Sequence, residues 1–308
     1  MSPSGQILQV EHLSKRFGRV DAVQDLSFTV SPGRVTGFLG PNGSGKTTSL
    51  RCLLGLVRPT SGSAHISGRA YSDLENPGRV VGAALEASGF HPGRTARNHL
   101  RIVADAIGLP PKRADEVLDL VGLTEAGGRK AGGFSLGMRQ RLSLAAALVG
   151  DPGVLVLDEP ANGLDPEGIA WLRGFLRSLA LEGRTVLVSS HVLSEVQQTV
   201  DDVVIISRGR LVESGPLANL GGAGLTRVRV RTPNPDALSN ALGTLAAPPA
   251  GIQRVESNLL IVTGVTAEDI GRVAFGAQVE IHELSPEAND LEALFLELTA
   301  SGNPGGSE

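Results

Sequence analysis

Gly40, Pro41, Asn42, Gly43, Ser44, Gly45, Lys46 and Thr47 fit the pattern G-x-x-x-x-G-K-[ST]. No other feature limits the fold so tightly. The glycines let the chain curl around an anion with its N–H groups pointing inward, and the lysine adds a point charge for the β- and γ-phosphates. The Thr47 hydroxyl is placed to meet Mg²⁺. Such a loop needs a strand before it and a helix after it. Residues 34–39 read as the strand and 47–57 as an amphipathic helix. The spacing therefore predicts an α/β domain with a site for a nucleoside triphosphate.

A chain of 308 residues holds one large domain or two smaller ones with ample core. A net charge of −4 gives no support for a nucleic-acid footprint. The single cysteine, Cys52, cannot form an intrachain disulfide, which suits the cytosol, and its leucine-rich surroundings read as core. No stretch approaches the ~18 uninterrupted apolar residues of a membrane span. Residues 1–5 carry neither the basic nor the apolar region of a signal peptide. A membrane part, if the process has one, is expected on another polypeptide.

Along the chain, residues 7–13 and 26–30 alternate like strands. Residues 95–122 have helical spacing with a break at Pro110-Pro111, and 138–149 read as a further helix. Val154–Leu157 is a continuous apolar run, as expected of a strand buried in a parallel sheet. A helix at 167–180, a strand at 185–188, a helix at 193–200 and a strand at 203–206 complete the α/β alternation. The glycine-rich stretch 220–224 marks a boundary. Beyond it, strands at 226–231, 252–255, 259–262 and 278–282 and helices at 235–245 and 266–275 give the order β-α-β-β-α-β, the ferredoxin-like arrangement. A helix at 290–299 and a Gly/Pro/Ser tail at 301–308, expected to be disordered, finish the chain.

Three more features bear on chemistry. Asp158 ends the apolar run, at the strand edge where a carboxylate can hold Mg²⁺, and Glu159 after it can polarise an attacking water. Ser135 and Gly137 precede a helix, so hydroxyl and backbone donors face outward at an N-terminus, a natural anion site. His191 follows the strand at 185–190, where its side chain can reach a γ-phosphate. Taken singly, each has an ordinary structural explanation. Their order along one chain is what that explanation fails to cover.

Over residues 7–215 the chain resembles the ATP-binding subunits of ABC transporters. Residues 40–48, ending at Thr48, match the Walker A loop, 134–138 the signature loop, and 154–159 Walker B with its catalytic Glu159. Phe17 matches the aromatic that stacks on adenine and Val23 the apolar contact beside it. Gly163-Leu164-Asp165 matches the D-loop and His191 the switch histidine. The resemblance implies a P-loop NTPase domain over 7–220 with a helical subdomain at about 86–150, and an accessory α/β domain over 225–300. It also implies ATP and Mg²⁺ as cofactors, and a second copy or close paralogue whose signature loop, through Ser135 and Gly137, acts on the partner's ATP. A separate permease would place the chain peripherally on the cytoplasmic face of the membrane.

The chain departs from the family in three respects. The usual glutamine between Walker A and the signature is missing, and Glu86 takes its place as a candidate metal group. The signature reads Ser-Leu-Gly-Met, with Leu136 and Met138 in place of smaller or polar residues. A C-terminal α/β segment is appended. Together these are similar to the bacterial drug- and antibiotic-export subgroup, of the bacitracin or daunorubicin type. Phe90, in a turn-rich loop after Glu86, is the expected anchor for the permease. A soluble regulatory or sensor ATPase acting through the C-terminal segment is the alternative. Coiled-coil repair ATPases and twin-cassette ribosomal ATPases fit less well, since the chain has no sustained heptads and one copy of each motif.

Overall fold

Strands β1 (Leu8–Phe17) and β2 (Val20–Val30) form a hairpin whose inward residues, Leu8, Val10, Leu13, Leu26 and Val30, are at most 2% exposed. The period-2 alternation of a half-buried sheet produces this pattern. With β4 (Ser61–Ile66) the hairpin makes a three-stranded antiparallel sheet, order β2-β1-β4. In this computed structural model, the residues described are 5–85, 89–192, 197–222 and 227–287.

The second sheet has six strands in the order β5-β6-β7-β3-β8-β9. These are β3 (Val35–Leu39), β5 (Val81–Ala84), β6 (Val154–Leu157), β7 (Thr185–Ser190), β8 (Asp202–Ser207) and β9 (Arg210–Pro216). The first five pair in parallel and β9 closes the edge antiparallel. Strands β3, β6 and β7 are buried throughout, which is why their sequences are nearly unbroken apolar runs. Helix α1 (Lys46–Leu53) packs into a core cluster that joins both sheets, with Leu50 and Leu53 beside Leu13, Phe38 and Val156. The helix ends four residues earlier than its apolar pattern suggests, just before Gly55 turns to φ 69.

Helix α2 is one short turn (Pro77–Val80) before β5. Helices α3 (Ala96–Ala106), α4 (Arg113–Leu120) and α5 (Leu136–Leu148) pack on one another, and the break between α3 and α4 falls at Pro110-Pro111. Thr95 caps α3 by accepting from the Asn98 N–H at 3.2 Å. Arg113 closes the other end of the group, donating to the Leu148 and Val149 carbonyls at 3.0 and 2.9 Å. Helix α6 (Pro166–Leu181) leads into β7. The helix expected at 193–200 falls partly outside the described residues.

The chain divides into two compact units, one ending at Leu217 and the other beginning at Ala218. The second is a four-stranded antiparallel sheet, order β11-β12-β10-β13, with helices α7 (Pro235–Leu242) and α8 (Ala267–Gly276). Its strands are β10 (Arg227–Arg231), β11 (Gly251–Glu256), β12 (Leu259–Thr263) and β13 (Glu283–Glu287). Their order is that of the ferredoxin-like arrangement. One element differs from the sequence reading. The last strand is not 278–282 but Glu283–Glu287. Residues 278–282 form the connection out of α8, where Gln278 takes φ 54 and Val279 donates back to the Ala274 carbonyl. Val279 and Ile281 alternate like strand residues because they pack against the core of this unit from that connection. Pro286 is tolerated because β13 is an edge strand. The helix expected at 290–299 and the tail at 301–308 lie outside the described residues.

Candidate active site

Gly45 shapes the site first. It occupies the position before α1 with φ 104, and a Cβ there would run into the Ala22 carbonyl of β2. Only glycine permits that conformation and that approach together. The loop is braced on its other side by the turn between β8 and β9, where the Gly209 N–H donates to the Ser44 carbonyl at 2.8 Å. Pro41, Asn42 and Gly43 remain exposed at the loop's crest, and a Cβ on Gly43 would meet nothing within 4 Å. Beneath them the Ser44 hydroxyl is buried with no hydrogen-bond partner. An unpaired buried hydroxyl in a glycine cradle suits an anionic oxygen, so the loop fits a phosphate chain. Thr48 lies half-buried on the first turn of α1.

Lys46 is 6% exposed. Its ammonium donates to the Gly40 carbonyl at 2.6 Å and the Pro41 carbonyl at 3.3 Å, and lies 3.5 Å from Glu159 Oε1. The other Glu159 oxygen, Oε2, is 2.9 Å from His191 Nδ1. One carboxylate thus stands between two nitrogen groups from different strands' ends. The neighbouring Asp158 accepts from the Thr47 hydroxyl at 2.7 Å, bringing two hard oxygen groups together as Mg²⁺ coordination demands. Glu159 holds φ 49, uncommon for a residue with a side chain.

The sequence reading missed Ser189. Its hydroxyl donates to Asp158 Oδ1 and accepts from the Glu159 N–H at 2.9 Å, holding both acidic residues at once. The signal was faint: two serines, Ser189 and Ser190, end an otherwise apolar strand. The pairing of Leu157 with Val188 across β6 and β7 brings Ser189 beside Asp158.

The remaining predicted residues are spread more widely. Phe17 is half exposed at the end of β1, with the Lys15 ammonium 4.8 Å from its ring centre. Val23 is 1% exposed within the core, so it supports the hairpin from inside. Ser135 caps α5 by accepting from the Met138 N–H at 3.3 Å, and Asp165 caps α6 by accepting from the Gly168 N–H at 2.8 Å. Ser135, Gly137, Asp158 and Asp165 border one cavity of about 800 Å³, and no residue of the 40–48 loop lines it. Phe90 is half-buried with its ring edge-on to His99 at 5.9 Å. Burial, then the nearby Arg94, holds the His99 imidazole below its usual pKa. Glu86 lies outside the described residues.

A model of the ABC transporter family matches residues 23–162, and one for a domain of unknown function matches 226–292. The chain is 46% identical over 217 residues to the bacitracin transport ATP-binding protein BcrA of Bacillus licheniformis, covering 70% of this chain and 71% of that protein. It is 35% identical over 308 residues to YdbJ of Bacillus subtilis (strain 168), an uncharacterized ABC transporter ATP-binding protein, covering 98% of each. A solved ATP-binding subunit of an ABC transporter matches at TM-score 0.63 and 28% identity, over 70% of this chain and 91% of that one. The chain belongs to the family of ATP-binding subunits of ABC transporters, ATPases that couple hydrolysis to transport.

Proposed function

We propose that this chain hydrolyses ATP to drive a separate membrane permease that exports an antibiotic or a similar amphiphile. The observation that carries the catalytic part is the placement of Glu159 between Lys46 and His191, with Asp158 bonded to Thr47. Lys46 and the N–H groups of the 40–48 loop bind and orient the β- and γ-phosphates. Thr47 and Asp158 would hold Mg²⁺, which neutralises phosphate charge when bound. A phosphate draws the Lys46 ammonium toward itself and frees Glu159 Oε1 to accept a proton from the attacking water. His191 keeps the carboxylate aimed through Oε2. Phe17 offers its exposed face to the adenine.

Ser135 and Gly137 act on the ATP of a second copy or close paralogue. In support, the cavity they border excludes their own phosphate loop. The export cargo is supported by the 46% identity to a protein named for bacitracin transport. The same likeness supports a peripheral subunit seated on the cytoplasmic side of a permease; among the described residues no helix is long and apolar enough to cross a membrane. Phe90 is the anchor for that permease, because a partly buried aromatic concentrates binding energy.

Glu159→Gln tests the reading. The variant is expected to keep ATP binding and to slow turnover by about 10²-fold or more, the usual effect of losing a group that acts on the reacting proton. With ATP and Mg²⁺ it is expected to elute as a dimer on size exclusion. Near-normal turnover would remove Glu159 from its role, and a persistent ATP-bound monomer would remove the shared site.

A further inference from the structure

Leu136 replaces a smaller residue directly after Ser135, and it opens α5 with its side chain 46% exposed. Its Cδ2 covers the α-carbon of Gly163 so closely that a Cβ there would overlap it. Gly163 takes φ 73, a conformation glycine adopts freely. Beside it, Leu164 Cδ2 lies 3.5 Å from where a Cβ on Gly137 would stand, and Gln140 Nε2 donates to the Asn162 carbonyl at 3.4 Å. The turn under Leu136 begins at the acidic pair: the Asn162 N–H donates to the Glu159 carbonyl at 3.1 Å. It ends at Asp165, the cap of α6.

We infer that Leu136 is a positioning residue that latches the turn after Glu159 to the Ser135 end of α5 and so steadies Glu159 in its site. The inference rests on the roles proposed above for those two residues. A half-exposed leucine lying over one glycine adds little to stability. Its place between the two loops is what gives it leverage, because small displacements of a catalytic group cost large factors in rate. Removing the side chain leaves the 40–48 loop untouched, so ATP binding persists while turnover falls.

The test is a cycle in the full-length chain, measuring kcat and KM for ATP in Leu136→Ala, Leu136→Met, Gly163→Ala and the double variant Leu136→Ala with Gly163→Ala. Leu136→Ala is expected to lower kcat about tenfold with KM within about twofold, and Leu136→Met to restore it. Gly163→Ala is expected to cost more, because its methyl meets Leu136 and its φ is unfavourable. The same methyl is expected to cost several-fold less once Leu136 is alanine, the signature of two residues in contact. A wild-type kcat in Leu136→Ala, or an equal cost of the Gly163 methyl in both backgrounds, would overturn the latch. Melting temperatures of the four variants separate packing from positioning. Coupling there without coupling in kcat means packing alone, which also rejects the latch. Normal turnover of Glu159→Gln would instead defeat the underlying assignment while leaving the contact measurable.

Discussion

At the C-terminal ends of β3, β6 and β7, charged and hydroxyl side chains turn inward and bond to one another. In the second unit, ion pairs such as Arg254 with Asp236 lie toward solvent. Lys46 and Glu159 are 6% and 23% exposed and 3.5 Å apart; Glu159 also meets His191, and the Ser189 hydroxyl joins its N–H to Asp158. Arg254 and Asp236 are 48% and 86% exposed at 3.2 Å, and Arg231 pairs with Glu256 at the same distance. Taking charges out of water is costly, so an inward cluster persists where a ligand or a reaction requires it. Exposed pairs gain little and lose little. The second unit is held instead by an apolar core in which Val228, Val230, Leu260 and Val262 meet Leu238 and Ile270.

Substitutions of decreasing effect test that contrast. Leu260→Ala removes a side chain that is 1% exposed and is expected to destabilise the second unit by about 2–5 kcal/mol. Thermal unfolding should show this loss while ATP binding by the first unit is retained; parallel loss of ATP binding would break the separation. Ser189→Ala leaves Asp158 Oδ1 and the Glu159 N–H without their shared partner. That is expected to slow turnover roughly tenfold, equivalent to about 1.4 kcal/mol on the barrier, with ATP affinity little changed. Steady-state hydrolysis at saturating ATP checks it, and unchanged turnover would demote Ser189 to a bystander. Smallest is Arg254→Ala, for which a stability change within ~1 kcal/mol is expected by denaturant titration. A larger loss would show that the outward pairs also carry structural weight.

Much of the first unit was legible in the sequence because its signals are local. Gly40 to Thr47 form a contiguous loop, and Val154–Leu157 announces a buried strand by composition alone. The order of elements after residue 226 was legible for the same reason, since apolar period and turn residues repeat at short range. Strand β13 was misplaced because an apolar residue at every second position is not unique to strands: Val279 and Ile281 alternate just as well while lining a connection. Strand β9 has no buried residue and gave no apolar run to follow.

The sequence by itself determined the phosphate loop, the acidic pair after β6 and the α/β class, because each depends on residues adjacent in the chain. Only the tertiary structure decided that Ser189 holds Asp158 and Glu159, that Glu159 lies between Lys46 and His191, and that Leu136 covers Gly163. These contacts join segments separated by tens of residues or more, and they follow from which strands pair and in what register. Register is a property of the packed sheet: Leu157 opposite Val188 is what sets the two loops beyond them side by side.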